Sequence, residues 1–157
     1  MLHTITVLVE NKSGVLARIA GLFAGRGYNI LSLAVAETEN PNLSRMTITA
    51  SGDDMEIEQI CKQLNKLINV IKVNDVTVQE HIARELLLVK LNVTKETRTS
   101  ILEIVNIFEA KVIDLTENTM TIQAIASPSK ISNLIKNLKN FGIKELSRTG
   151  RIAILRG

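Results

Sequence analysis

One order of elements occurs twice along this chain, and that repetition restricts its fold more than any other feature. Leu2–Glu10 alternates and is rich in Thr, Ile and Val, as a strand requires. Val15, Ile19, Leu22 and Phe23 then recur at helical spacing within Gly14–Gly25, and Gly27 follows as a left-handed C-cap. Asn29–Thr38 and Leu43–Ser51 read as two strands joined by a turn at Glu39–Asn42. Asp53-Asp54-Met55-Glu56 has the form of a capping box, opening a helix with Ile57, Ile60, Cys61, Leu64, Leu67 and Ile68 inward. Val70–Gln79 is the fourth strand.

The second half has the same order. Glu85–Val93 is a strand, and Glu96–Phe108 a helix facing inward through Ile101, Leu102, Val105 and Phe108. Lys111–Thr116 and Thr119–Ala126 pair around Glu117-Asn118. Ser127-Pro128 starts a helix that buries Ile131, Leu134, Ile135 and Leu138, and Gly142 stops it. Ile143–Leu155 contains the last strand, with an interruption near Thr149-Gly150. The expected class is therefore α+β: two ferredoxin-like βαββαβ units, residues 1–79 and 80–157, each an antiparallel sheet with helices on one face. The other face of the first sheet is expected to carry mostly Val, Leu, Ile, Ala and Thr. Such a face needs cover from the other half or from a second copy.

Composition removes several function classes. The 157 residues include four aromatics and no Trp, and none of the aromatics falls on a strand, so base stacking in the manner of an RNA-recognition module is excluded. A single cysteine, Cys61, allows no internal disulfide, and its place on an apolar helix face suits packing. No apolar run reaches membrane-spanning length. Met1-Leu2-His3 runs straight into a strand pattern, so neither a signal nor a transit peptide is expected, and a reducing compartment follows: a bacterial cytoplasm or a plastid stroma. Residues 1–80 carry seven Lys/Arg and nine Asp/Glu, net −2; residues 81–157 carry twelve and seven, net +5. The basic residues are scattered, which favours a solvated surface over a nucleic-acid site. No catalytic constellation or metal-ligand spacing is visible: His3 and His81 stand alone at strand edges, and Asp53 and Asp54 are explained by capping.

The stretch Glu10–Leu16 joins the first strand to the first helix. A helix start offers unpaired N–H groups and the positive end of a dipole, which suits a carboxylate. Gly14 permits close approach, and Asn11 offers an amide that both donates and accepts. The same residues also suit a plain tight turn with Ser13 as N-cap. Gly25-Arg26-Gly27 ends a helix instead of opening one, so it is no dinucleotide loop.

Val7–Ile48 closely resembles the ACT domain of the small, regulatory subunit family of acetolactate synthase (acetohydroxyacid synthase). The resemblance rests on Glu10–Leu16, Arg26-Gly27-Tyr28-Asn29-Ile30 and Leu43-Ser44-Arg45-Met46-Thr47. Residues 84–126, with Arg84-Glu85-Leu86 and Ile113-Asp114-Leu115-Thr116, are similar to the family's C-terminal domain. The resemblance implies a subunit without catalysis of its own. Such a subunit activates a catalytic large subunit that carries thiamine diphosphate, Mg and FAD. It also confers feedback inhibition by valine, with leucine or isoleucine in some members, in branched-chain amino acid synthesis. It further implies a homodimer through the ACT domain. Asn11, Gly14, Val15 and Leu16 of one copy then face Asn29 and Ile30 of the other around the effector. Asn42 and Arg45, on the loop between the second and third strands, are candidate contacts with the catalytic subunit, the alternative being a plain hairpin turn with Arg45 on a solvated strand. The competing readings are a free-standing amino-acid sensor and a nucleic-acid binder using the basic half.

Overall fold

The computed structural model describes all 157 residues, which form two compact units. The first comprises Met1–Ala83 together with Arg151–Gly157, and the second Arg84–Gly150. The last seven residues thus depart from the expected division at residues 79 and 80.

The first unit runs β1 (Leu2–Glu10), α1 (Val15–Gly25), β2 (Ile30–Glu37), β3 (Leu43–Ser51), α2 (Asp54–Asn65) and β4 (Val70–Asp75). Its antiparallel sheet has the order β2-β3-β1-β4. Alternation decides its faces. Ile5, Val7 and Val9 on β1 and Met46, Ile48 and Ala50 on β3 point to the helices, where Val15, Ile19, Phe23, Ile57, Ile60 and Leu64 close the core. Two details differ from expectation. α2 ends at Asn65, so Ile68 lies beyond the helix and is 89% exposed. β4 stops at Asp75, and Val76 N–H instead reaches the Thr4 carbonyl, 3.0 Å.

Of the Val, Leu, Ile, Ala and Thr expected on the far face of this sheet, threonines hold the centre, with Thr4 paired to Thr49 and Thr6 to Thr47, each almost fully buried. The chain's own end lies against this face: β9 (Ile152–Leu155) meets β1 and β3.

The second unit contains β5 (His81–Asn92, whose first three residues belong to the first unit), α3 (Lys95–Ile107), β6 (Lys111–Leu115), β7 (Thr119–Ala126), α4 (Pro128–Leu138), a 3₁₀ turn at Lys139–Phe141 and β8 (Ile143–Arg148). The sheet order is β6-β7-β5-β8, matching the first unit, and β9 also pairs with β5. Leu87, Val89, Leu91, Ile101, Val105, Met120, Ile122, Ile131, Leu134 and Leu138 are its core. Leu102, expected inward, is 39% exposed, and Ile104 packs against the core in its place.

The repeat extends to individual bonds. Glu10 N–H donates to the Asn69 carbonyl (2.8 Å) as Asn92 N–H does to that of Gly142 (3.0 Å). Asn11 N–H donates to the Asn42 carbonyl (2.7 Å) as Val93 N–H does to that of Asn118 (2.8 Å).

Candidate functional site

Three of the four helices close their own first turn. Asp53 accepts from Glu56 N–H at 2.8 Å while the Glu56 carboxylate accepts from Asp53 N–H at 3.0 Å. Thr94 and Thr97 form the same reciprocal box on α3, and Ser127 accepts from Lys130 N–H on α4. α1 does not. Its N-cap is Gly14, not Ser13, at φ 86°, with no side-chain cap bond and no acidic residue in the first turn. The positive φ explains the glycine, and a β-carbon there would meet nothing within 4 Å. Val15 N–H has only a long 3.4 Å bond to the Lys12 carbonyl. The start of α1 is therefore open, with its donors and dipole end unsatisfied by any side chain.

It opens beside a cavity of about 340 Å³ lined by Val9, Glu10, Asn11, Lys12, Val15, Leu16, Val35, Ala36, Glu37, Ser44 and Met46. Strand register assembles the wall: Val9 and Glu37 both pair with Ser44, and Val35 pairs with Met46. The loop is pinned on both sides. Asn11 Nδ2 donates to the Pro41 carbonyl, 2.9 Å, which leaves Oδ1 as a spare acceptor. Lys12 Nζ lies 3.0 Å from Glu10 Oε2, and Asn69 Nδ2 donates to the same oxygen at 3.1 Å. The Lys12 and Asn69 hydrogen bonds hold the Glu10 carboxyl below the usual carboxylate range. Arg18 Nη1 donates to Asn69 Oδ1, 3.0 Å, tying the first turn of α1 into this network.

The site thus offers N–H donors at one end, the acceptors Asn11 Oδ1 and Glu37 elsewhere on the rim, and an apolar lining of Val9, Val15, Leu16, Val35 and Met46. A small zwitterion with an aliphatic side chain meets all three. Of the residues singled out in the sequence, Asn11, Val15 and Leu16 line the cavity and Gly14 opens the helix beside it. Asn29 and Ile30 do not line it. Asn29 is exposed before β2, and Ile30 packs against the core. Asn42 and Arg45 are exposed at the β2–β3 end of the sheet. Glu37 was not singled out in the sequence, and Ser44 and Met46 entered only within the motif that carries the resemblance, not as cavity residues. Their signal was the turn at 39–42, which sets the register of the flanking strands.

The other singled-out residues have structural explanations. His3 is not a free edge residue: it is buried, with Nδ1 3.0 Å from Asp75 and Nε2 3.2 Å from the exposed Asp54. Burial pushes the Asp75 carboxyl up, but bonds from the Thr77 hydroxyl and N–H and from His3 outweigh it and hold the carboxyl low. His81 Nδ1 lies 2.8 Å from the Gln79 carbonyl. Cys61 packs against the core, and burial raises its thiol to about 11, which suppresses the reactive thiolate.

Comparison with known proteins agrees over the whole chain. Residues 5–72 match the family model described as the AHAS small subunit-like ACT domain, and residues 84–157 that described as the small subunit of acetolactate synthase. A probable acetolactate synthase small subunit of Archaeoglobus fulgidus is 50% identical over 157 residues, covering 100% of this chain and 98% of the relative. The acetolactate synthase small subunit of Mycolicibacterium smegmatis is 48% identical over 155 residues, covering 99% and 91%. Among solved structures, the acetolactate synthase small subunit of Thermotoga maritima superposes with a TM-score of 0.90 at 39% identity, covering 100% of this chain and 98% of that one. With both units matched and half the residues shared along its full length, this chain belongs to the acetolactate synthase small-subunit family.

Proposed function

We propose that this chain raises the activity of the thiamine-diphosphate-dependent catalytic subunit and transmits feedback inhibition by a branched-chain amino acid: valine, with or without leucine or isoleucine. The observation that carries this reading is the uncapped start of α1, opening on an apolar cavity with acceptors on its rim. The effector's carboxylate takes the N–H groups at Gly14–Leu16, its ammonium meets Asn11 Oδ1 and Glu37, and its branched side chain lies against Val15, Val35 and Met46. The second copy enters along β2, an edge strand with Leu31 and Val35 exposed, and brings its own Asn29 and Ile30 to close the cavity. Because the site is shared between copies, occupancy biases their arrangement and hence the catalytic subunit they hold. Thiamine diphosphate, Mg and FAD belong to that partner, and the complex works in a bacterial cytoplasm or a plastid stroma. Asn42 and Arg45 contribute to the contact with it.

Reconstitution tests the proposal. Purified catalytic subunit is assayed for acetolactate formation alone, with this chain, and with this chain plus valine. Stimulation that valine reverses is expected. No stimulation, or stimulation indifferent to valine, leucine and isoleucine, refutes it.

A further inference from the structure

β9 is held to the sheet of the first unit by very little. Its one buried side chain is Ala153, while Ile152 and Ile154 face outward at 55% and 57% exposure. Its ladder bonds run to β5 alone, so one edge is free of strand pairing. Toward the sheet, Ala153 N–H reaches Thr47 Oγ1 at 3.4 Å and Arg151 Nη1 reaches Thr4 Oγ1 at 3.2 Å. Thr49 Oγ1, on the same sheet face, is buried with no partner. A strand with one edge paired and a single methyl group toward its support lies at the low-stability end of a fold.

What it covers matters equally. A face of valines would resist exposure in proportion to its apolar area. The square of Thr4, Thr6, Thr47 and Thr49 instead carries a hydroxyl at every position, and water satisfies those hydroxyls, including the one left unpaired, when the cover lifts. Both the docked and the lifted arrangements are therefore accessible to the same sheet.

The geometry points to β9 as a releasable strap on the back of the effector unit, whose docking is linked to the state of the cavity on the front. The link is material: β1 carries Thr4, which Arg151 reaches, and Val9 and Glu10 in the cavity wall, and β3 carries Thr47, which Ala153 N–H reaches, and Ser44 and Met46 in the wall. A shift of either strand that suits one site is felt at the other. This linkage rests on the effector reading above; the releasable strap does not.

Hydrogen exchange on the full-length protein tests the strap. Amides of residues 152–155 are expected to exchange at least about tenfold faster than those of Ile5–Val9 and Met46–Ala50, as befits a local opening. Ala153→Asp should raise exchange in β9 and in residues 80–83 while leaving β1 and β3 protected. Ile154→Asp, on the outward side, should change neither. If β9 exchanges as slowly as β1 and β3, or if Ala153→Asp melts those strands too, the strap is an integral part of the sheet and the inference is wrong. Valine titration then tests the link: Ala153→Asp should shift valine affinity at least about threefold, and unchanged affinity refutes the linkage. Should wild-type protein bind no valine, the effector reading fails, and exchange alone decides the strap.

Discussion

Gly14→Asp places a carboxylate at the open start of α1, and the structure allows its effects on folding and on binding to be separated. The position has φ 86° and room for a side chain, so the folding cost is the left-handed backbone alone, about 1–2 kcal/mol. Aspartate tolerates that region better than most residues, and an anion at a helix N-terminus returns about 0.3–1 kcal/mol. Net stability should move by about 1 kcal/mol or less, a shift in Tm of roughly 2–4 °C for a chain of this size. Binding is another matter. Two carboxylates about 5 Å apart repel by about 3 kcal/mol at an effective dielectric of 20. Gly14 is exposed, so salt and water reduce this to about 1.5–2 kcal/mol, a ten- to thirtyfold loss of affinity. Gly14→Asn is the control, because it has the same shape and backbone strain without the charge. Isothermal titration with valine should show a much larger loss for aspartate than for asparagine, with both proteins folded by thermal melt. Equal losses would mean that bulk, not charge, decides. An aspartate variant that binds like wild type would remove the effector's carboxylate from this helix start altogether.

Other outcomes follow from the same geometry. The Asp75 carboxyl is held below its ordinary value of 3.8 in the folded state, so its stabilising contribution is present above about that pH and is lost as pH falls through the lowered value. Asp75→Asn should therefore be less stable than wild type at neutral pH and lose less on acidification below pH 4, read by chemical denaturation at several pH values. Arg45→Ala removes an exposed cation at the end of the sheet, away from the cavity lining; it should weaken stimulation of the catalytic subunit and leave valine affinity unchanged in titration. The isolated chain should form no acetolactate from pyruvate, and any turnover by a preparation free of catalytic subunit would contradict the proposed division of roles.

Much of the scaffold was legible because each element advertises itself locally. Alternation in Leu2–Glu10 and Leu43–Ser51 matches the strands found, and Asp53 to Glu56 forms the capping box its spacing announces. What the pattern misjudged depends on long-range geometry. Ile68 keeps a helical spacing, but α2 has already ended at Asn65. The threonines belong to a face that was expected to need cover from the other half or a second copy, and the chain's own last seven residues, which reach Thr4 and Thr47, lie against it. His3 looked isolated because its carboxylate partners lie 51 and 72 positions away. At the cavity, local chemistry alone left Asn11 and Gly14 open between a tight turn and a carboxylate site, and Glu37, Ser44 and Met46 arrive by strand pairing, which no single stretch reveals.

The matched backbone bonds of the two units bear on the chain's valency. Each unit anchors the end of its first strand in the same way, at Glu10–Asn11 and at Asn92–Val93, yet only one leaves the following helix open. In the other, Thr94 and Thr97 occupy the donors that a guest carboxylate needs, and a threonine pair already in place at no translational cost outcompetes a dissolved ligand. On the proposed reading, the doubled scaffold holds a single effector site. Titration should therefore saturate at one equivalent of effector per chain, and a second equivalent bound in the other unit would contradict this count.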